Sequence, residues 1–367
     1  MGNKSRTITH NFSPGPSKLP DEVIAEIAEE FGNYNNLGIS IIEVSHRSAI
    51  FDEILTEVKI NIRKLMEVPD DYEIIFTPGG ASMNFSMVAM NFGFAGKAAY
   101  IDTGIWSEKS YLEAKKFTEV NIPYTSKSNG FDHIPEIDIS TLDGKYNYVH
   151  ITTNNTIYGT QYTNIPKLEK TPLIADSSSD IMGRYIDVSQ FGLIYAGLQK
   201  NLGPSGLGLV IIKKSMLDNR SDQIVIPRLL DYKTYIDYNS LFNTPNTFAI
   251  YAMNKVMKWL LQKGGVKEME KVNRKKATLL YSIIDQSEIY TNSISPKDRS
   301  IMNVVFTLPD EKSNKEFIEK SAQKNLMFLK GHKSAGGIRA SIYNAITLDS
   351  VKALGEFMEE FEKSFVK

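Results

Sequence analysis

The 367-residue sequence contains no cysteine. Disulfide bonds, thiolate zinc sites and catalysis by a cysteine nucleophile are therefore excluded. No apolar run approaches the roughly 20 residues that cross a bilayer, and the polar start at residues 1–6 does not resemble a signal peptide. We therefore expect a cytoplasmic protein with no membrane partner.

An excess of charge of one sign is also lacking, because 42 basic residues face 43 acidic ones and the formal net charge is -1. Such a chain has no strong electrostatic field to attract nucleic acid, so we expect no nucleic-acid partner. We also expect no metal ion in the functional site. Arginine is scarce, with nine residues among the 42 basic ones. Each arginine is therefore a candidate for a specific task.

Helical and strand patterns alternate over the first two thirds of the chain, which predicts an α/β fold with a mainly parallel sheet flanked by helices. Short apolar runs predict buried strands at residues 73–77, 98–102, 146–152, 172–176, 193–196 and 207–213. Helical periodicity predicts helices at residues 21–31, 51–66, 83–92, 107–117 and 247–263. These elements indicate a large domain over residues 17–263.

Gly264 and Gly265 are a plausible hinge into a second unit. After them a helix, strand, helix, strand, helix order predicts a small α+β domain. We expect this domain to span residues 264–367 and to be completed by the N-terminal residues 1–16.

Lys200 lies in a Gly/Pro-rich turn between two predicted strands. Apolar surroundings lower a lysine pKa, and a neutral amine attacks aldehydes. Asp176 directly follows another buried strand, where its carboxylate would suit the protonated pyridine nitrogen of pyridoxal 5′-phosphate (PLP). The alternatives are a solvated surface lysine and an aspartate that closes a turn.

The turn at residues 77–84 follows a strand and opens a helix, so its backbone N–H groups are placed to bind a phosphate. Trp106 at a strand end is suited to stack on a flat ring, and the hydroxyl of Thr156 is suited to donate to a cofactor oxygen. A tight turn, core packing and an ordinary loop hydroxyl are the respective alternatives.

Two Gly/Ser-rich segments combine histidine with arginine, namely His46 with Arg47 and His332 with Arg339. Arginine binds carboxylate or phosphate with two parallel hydrogen bonds, so the four residues together suit a multiply anionic substrate. Ordinary surface ion pairs are the alternative for each of them.

Five motifs occur in a family's order: residues 43–48 (EVSHRS), 174–180 (IADSSSD), 197–201 (GLQKN), 243–248 (NTPNTF) and 337–345 (GIRASIYNA). With them the chain resembles the phosphoserine aminotransferase family, which are class V aminotransferases of the PLP-dependent transferase type I fold. The resemblance runs from residue 11 nearly to the C-terminus.

The resemblance implies that Lys200 forms a Schiff base with PLP and that Asp176 pairs with the pyridine nitrogen. Implied cofactor contacts are Trp106 on the ring, Thr156 at the phenolic oxygen, and Ala81, Ser82, Gln199 and the partner subunit's Asn243 and Thr244 at the phosphate. Implied substrate contacts are His46, Arg47, His332, Arg339 and Lys333, which stands where relatives commonly have arginine.

The implied activity is amino-group transfer from L-glutamate to 3-phosphohydroxypyruvate in a homodimer with shared active sites, giving O-phospho-L-serine and 2-oxoglutarate in serine biosynthesis. The related keto acid 3-hydroxy-2-oxo-4-phosphobutanoate is a second candidate substrate. A cysteine desulfurase is excluded because the chain has no cysteine. An alanine–glyoxylate-type transaminase and a PLP-binding protein without turnover stay open as alternatives.

Overall fold

The computed structural model describes residues 9–218, 220 and 225–365. Its α-helices are α1 Asp21–Glu30, α2 Ala49–Met66, α3 Gly80–Phe92, α4 Ile105–Ala114, α5 Ser215–Asp218, α6 Tyr232–Asp237, α7 Thr247–Gln262, α8 Gly265–Gln286, α9 Glu311–Gln323 and α10 Leu348–Phe365. Its strands are β1 His10–Asn11, β2 Tyr72–Pro78, β3 Lys97–Asp102, β4 Glu119–Thr125, β5 Tyr148–Thr152, β6 Leu173–Asp176, β7 Leu193–Gly197, β8 Leu207–Lys213, β9 Asn303–Phe306, β10 Leu326–Met327 and β11 Ile338–Ser341. Within these residues no helix has the length and apolar character that crossing a membrane requires.

The central sheet has seven strands in the order β2-β8-β7-β6-β5-β3-β4. Only β8 runs antiparallel to its neighbours β2 and β7, so the other six strands point in one direction. The mainly parallel α/β sheet predicted from the sequence is therefore confirmed. The carboxyl ends of six strands meet at one edge, which is where open α/β sheets bind ligands.

Apolar side chains cover both faces of this sheet, as the uninterrupted apolar runs of its inner strands predict. Along β2, Ile74 and Phe76 join the buried cluster that includes α2 and α7. Ile75, between them, joins the cluster that includes α3 and α4 on the other face. The sheet is thus the middle layer of three, and its two buried faces hold its strands in fixed positions.

A separate buried cluster is formed by side chains from α8, β9, α9, β11 and α10. Phe12 from the N-terminal segment belongs to this cluster, and β1 pairs in parallel with β10. Gly264, with φ +93°, lies between α7 and α8. These features support the predicted division at residue 264, which stays a prediction; residues 1–8 and 366–367 lie outside the described residues.

Candidate active site

A cavity of about 530 Å³ opens at the carboxyl edge of the sheet. Nine of the side chains singled out in the sequence line it: Ala81, Ser82, Trp106, Thr156, Asp176, Gln199, Lys200, His332 and Arg339. Seven of them lie at or just after the carboxyl ends of β2, β3, β5, β6 and β7. His332 lies in the segment before β11, and Arg339 lies on β11 itself. The fold therefore gathers into one space residues that are up to 258 positions apart in the sequence.

Lys200 follows β7 by three residues, and its amine Nζ donates a hydrogen bond to Thr156 Oγ1 at 2.8 Å. Burial, with a smaller contribution from the positive charge of Arg339, lowers the pKa of Lys200 to about 8. The carboxylates of Asp176 and Asp180 act in the opposite direction. A substantial fraction of this amine is therefore neutral, and hence nucleophilic, near pH 8.

Asp176 is the last residue of β6 and is buried. Its Oδ1 accepts hydrogen bonds from the Ser178 backbone N–H at 3.0 Å and from the Ser178 hydroxyl at 2.6 Å. Burial raises the pKa of Asp176, whereas the Ser178 hydrogen bonds and Lys200 lower it. No described residue donates to the other oxygen, Oδ2, which leaves an acceptor for a cationic N–H group.

Trp106 is the second residue of α4, just after the end of β3. Its ring centroid lies 5.7 Å from Lys200 Nζ, so the indole forms one wall beside the amine. The buried indole nitrogen Nε1 has no hydrogen-bond partner within the described part of the chain. The ring thus offers both a flat face and a free donor to a ligand.

The turn between β2 and α3 presents the start of a helix to the cavity. Gly79 has φ +75°, and a Cβ added there would lie 2.8 Å from Met83 Cβ, so this turn requires glycine. Ala81 and Ser82 follow in the first turn of α3, where backbone N–H groups have no intrahelical acceptor. The side chains of Ser82 and Gln199 make no hydrogen bonds to described residues. Together they form a cradle suited to a phosphate.

Arg339, on β11, is buried with 7% of its surface exposed. Its Nε has no partner among the described residues, and no carboxylate there forms an ion pair with it. Burial lowers the pKa of His332, and the positive charges of Arg339, Lys333 and Lys109 lower it as well. A buried cation without a counter-ion is costly, so this end of the cavity is built to receive an anion.

Five sequence-predicted residues do not line the cavity within one chain: His46, Arg47, Asn243, Thr244 and Lys333. Arg47, Thr244 and Lys333 are exposed. The buried Nε2 of His46 has no partner in the described ranges. Their roles stay predictions.

Two contributions were missed in the sequence. Ser178 holds Asp176, and the run of serines after that aspartate was the available signal. Lys109 lies one helical turn after Trp106, with its Nζ 4.7 Å from the ring centroid, and nothing in its local sequence distinguishes it from other surface lysines.

The profile of the aminotransferase class-V family matches residues 9–354. The chain belongs to this family. Among curated relatives, this class V aminotransferase is 48% identical over 354 residues to phosphoserine aminotransferase of Bacillus cereus (strain ATCC 14579), covering 96% of this chain and 98% of the relative.

Two solved structures are similar to this class V aminotransferase over nearly all of both chains. Phosphoserine aminotransferase from Bacillus circulans subsp. alkalophilus superposes with a TM-score of 0.93 at 41% identity, covering 97% of this chain and 99% of that one. PLP-bound phosphoserine aminotransferase from Trichomonas vaginalis gives a TM-score of 0.90 at 36% identity, with 96% and 99% covered.

Proposed function

We propose that this chain is a PLP-dependent phosphoserine aminotransferase, which transfers the amino group of L-glutamate to 3-phosphohydroxypyruvate. The products are 2-oxoglutarate and O-phospho-L-serine. The observation that carries the proposal is the presence, in one cavity, of an amine with a lowered pKa at Lys200 and an unpaired buried guanidinium at Arg339. The 48% identity to a relative of that name supports the same activity.

The cavity fits PLP because each polar part of the cofactor has a suitable partner among the lining residues. Asp176 Oδ2 suits the protonated pyridine nitrogen, and Thr156 suits the phenolic oxygen. Trp106 would pack on the ring. The phosphate would bind at the start of α3, next to Ser82 and Gln199. When bound, the cofactor withdraws electrons from the substrate α-carbon and carries the amino group between the two substrates.

Lys200 has two tasks in this proposal. Its Nζ would hold the cofactor covalently, and the same Nζ, when free, would remove or return the proton at the substrate α-carbon. A pKa of about 8 suits this work, since general acid–base groups are most effective when their pKa lies near the operating pH. Thr156 orients the amine through its 2.8 Å hydrogen bond.

Arg339 would bind the substrate carboxylate in a bidentate geometry, with His332 beside it. His46 and Arg47, with Lys333 at the rim, would bind the phosphate of the acceptor. Because His46 and Arg47 lie outside the cavity of their own chain, we infer that they act across a homodimer interface, as we do for Asn243 and Thr244. Exposed Leu37, Ile39, Ile42 and Tyr238 lie near His46 and Asn243 in the sequence and suit such an interface.

Two alternative functions would use this cavity differently. A PLP-binding protein without turnover needs the phosphate cradle and has no use for an unpaired buried arginine, so Arg339 argues against it. An alanine–glyoxylate-type transaminase handles no phosphorylated substrate, so His46 and Arg47 would have no task. The keto acid 3-hydroxy-2-oxo-4-phosphobutanoate carries the same two anionic groups and stays a candidate second substrate. A cytoplasmic location stays a prediction.

The glutamate half-reaction tests the proposal. Purified protein is expected to be yellow, and glutamate alone is expected to bleach its visible absorption band, which 3-phosphohydroxypyruvate then restores. Lys200→Met serves as the control, since it can bind PLP without holding it covalently and without moving the proton. A colourless wild-type protein, or a band that glutamate leaves unchanged, would overturn the transaminase proposal.

A further inference from the structure

Lys276, on α8, is fully buried outside the cavity, and its ammonium group is surrounded by backbone oxygens. Nζ donates to the carbonyls of Ile342, Tyr343 and Ile346, each at 2.9 Å. No carboxylate among the described residues pairs with it. Among the described residues, the positive charge of Lys276 is therefore met by backbone oxygens alone.

The three hydrogen bonds match the charged form of the side chain, because only a protonated amine has three donors. Burial lowers the pKa of Lys276 to about 7. The three carbonyl acceptors act in the opposite direction, since hydrogen bonds to the charged form favour it. Removing the ammonium would leave the buried carbonyls of Ile342 and Ile346 without a donor among the described residues, whereas the Tyr343 carbonyl would keep the Ile346 N–H at 2.9 Å. Each unpaired carbonyl costs about 1–3 kcal/mol.

Residues 342–346, which Lys276 holds, directly follow β11 and the arginine on it. The Tyr343 hydroxyl donates to the carbonyl of Pro14, a cavity residue, at 3.0 Å. The Asn344 N–H donates to Asn201 Oδ1 at 3.0 Å, next to Lys200 in sequence. One side of this segment is thus fixed to α8 and the other side to the cavity.

We propose that Lys276 is a positioning residue that acts through segment 342–346 to set Arg339 relative to Lys200. The proposal rests on the proposed function, since it takes Arg339 as the arm that binds the substrate carboxylate. A strand advances about 3.3 Å per residue, so Arg339 lies only about 10 Å along the chain from the first held carbonyl. Displacement of the segment would therefore act on the backbone of β11 close to Arg339.

The first test compares Lys276→Met with Lys275→Met, a change at the exposed neighbouring lysine of the same helix. In the glutamate half-reaction, Lys276→Met is expected to lower the apparent affinity for glutamate by about ten- to a hundredfold, the effect of an ångström-scale misplacement. The PLP dissociation constant is expected to change by less than about threefold. Hydrogen exchange in the cofactor-free protein is expected to become faster over residues 338–346. Lys275→Met is expected to match the wild type in all three measurements.

The second test uses the absence of cysteine from the chain. Lys276→Cys supplies a single thiol, which is alkylated in denaturant with either 2-bromoethylamine or 1-bromopropane before refolding with PLP. The two side chains have the same length, and only the first carries an ammonium group. The aminoethyl form is expected to recover the glutamate affinity of wild-type protein taken through the same cycle, and the propyl form is not.

Equal glutamate affinity in the two alkylated forms would overturn the proposal. So would unchanged hydrogen exchange at residues 338–346 in Lys276→Met, or parallel losses of glutamate and PLP affinity, which indicate a merely structural role. A failure of the proposed function gives a different result. Wild-type protein that reacts with glutamate but not with 3-phosphohydroxypyruvate would contradict only the assigned amino acceptor, and not the role of Lys276.

Discussion

Replacement of Arg339 by methionine is expected to lower activity without lowering stability. The guanidinium is buried, its Nε is unpaired among the described residues, and it faces the cavity. Truncating one partner of a buried, hydrogen-bonded charge pair costs about 2–5 kcal/mol of binding. At about 1.36 kcal/mol per tenfold, we expect kcat/KM to fall by about 30-fold to several thousandfold.

In the absence of substrate, the same replacement is expected not to lower the stability of the fold. An uncompensated buried charge destabilises a protein, so methionine at position 339 is expected to leave the unfolding temperature unchanged or to raise it. Arg184 provides the matched control, because it is equally buried and its Nε donates to Asp180 Oδ2 at 3.0 Å. Arg184→Met leaves Asp180 without its buried partner and is expected to cost about 3–5 kcal/mol of stability.

The assay combines three measurements on each variant: steady-state turnover with glutamate and 3-phosphohydroxypyruvate, the PLP dissociation constant, and thermal unfolding of the cofactor-free protein. For Arg339→Met we expect a large loss of kcat/KM with little change in PLP affinity. An Arg339→Met protein that unfolds several degrees below the wild type, as Arg184→Met is expected to do, would refute the view that Arg339 is held ready for an anion.

Two further predictions concern the cofactor site. Uptake of PLP by the cofactor-free protein is expected to accelerate about tenfold per pH unit below pH 8 and to level off above it, because only the neutral amine of Lys200 reacts and its pKa is about 8. Asp176→Asn removes a negative charge that favours the ammonium form of Lys200, so the bend in the plot of uptake rate against pH should move to lower pH. The rates are measured by stopped-flow absorbance. A profile without a bend would contradict the lowered pKa of the buried amine. Gly79→Ala forces a left-handed backbone and a 2.8 Å contact with Met83, and is expected to cost about 1–2 kcal/mol in urea unfolding and to weaken PLP binding. Gly32→Ala, at a site with no neighbour within 4 Å, is its control, and equal effects of the two changes would count against the strained turn.

Much of the sheet could be predicted because its inner strands are buried on both faces and so appear as short apolar runs. The predicted runs end at Thr77, Asp102, Thr152 and Asp176, and the observed strands end at the same residues or one residue later. β4 was missed because it lies at the sheet edge, where its residues are partly buried or exposed and include Pro123. The local pattern carries no comparable signal for a half-exposed edge strand.

The site residues likewise divide into those that the sequence could predict and those that it could not. Residues at the strand ends could be predicted to meet, because parallel strands bring their carboxyl ends to one edge. Lys276 could not be distinguished from Lys275, since its burial depends on segment 342–346 about 70 residues later. In the proposed homodimer, the placement of His46, Arg47, Asn243 and Thr244 depends on the second chain, so neither the local sequence nor one protomer determines it.

The most direct test of the central claim is a comparison of amino acceptors with the purified wild-type enzyme and L-glutamate as donor. Initial rates are measured with 3-phosphohydroxypyruvate, pyruvate and glyoxylate, and each product is identified by mass. We expect kcat/KM to be highest for 3-phosphohydroxypyruvate by at least about a hundredfold, because the charged contacts to its phosphate are worth several kcal/mol. Comparable or higher kcat/KM with pyruvate or glyoxylate would contradict it.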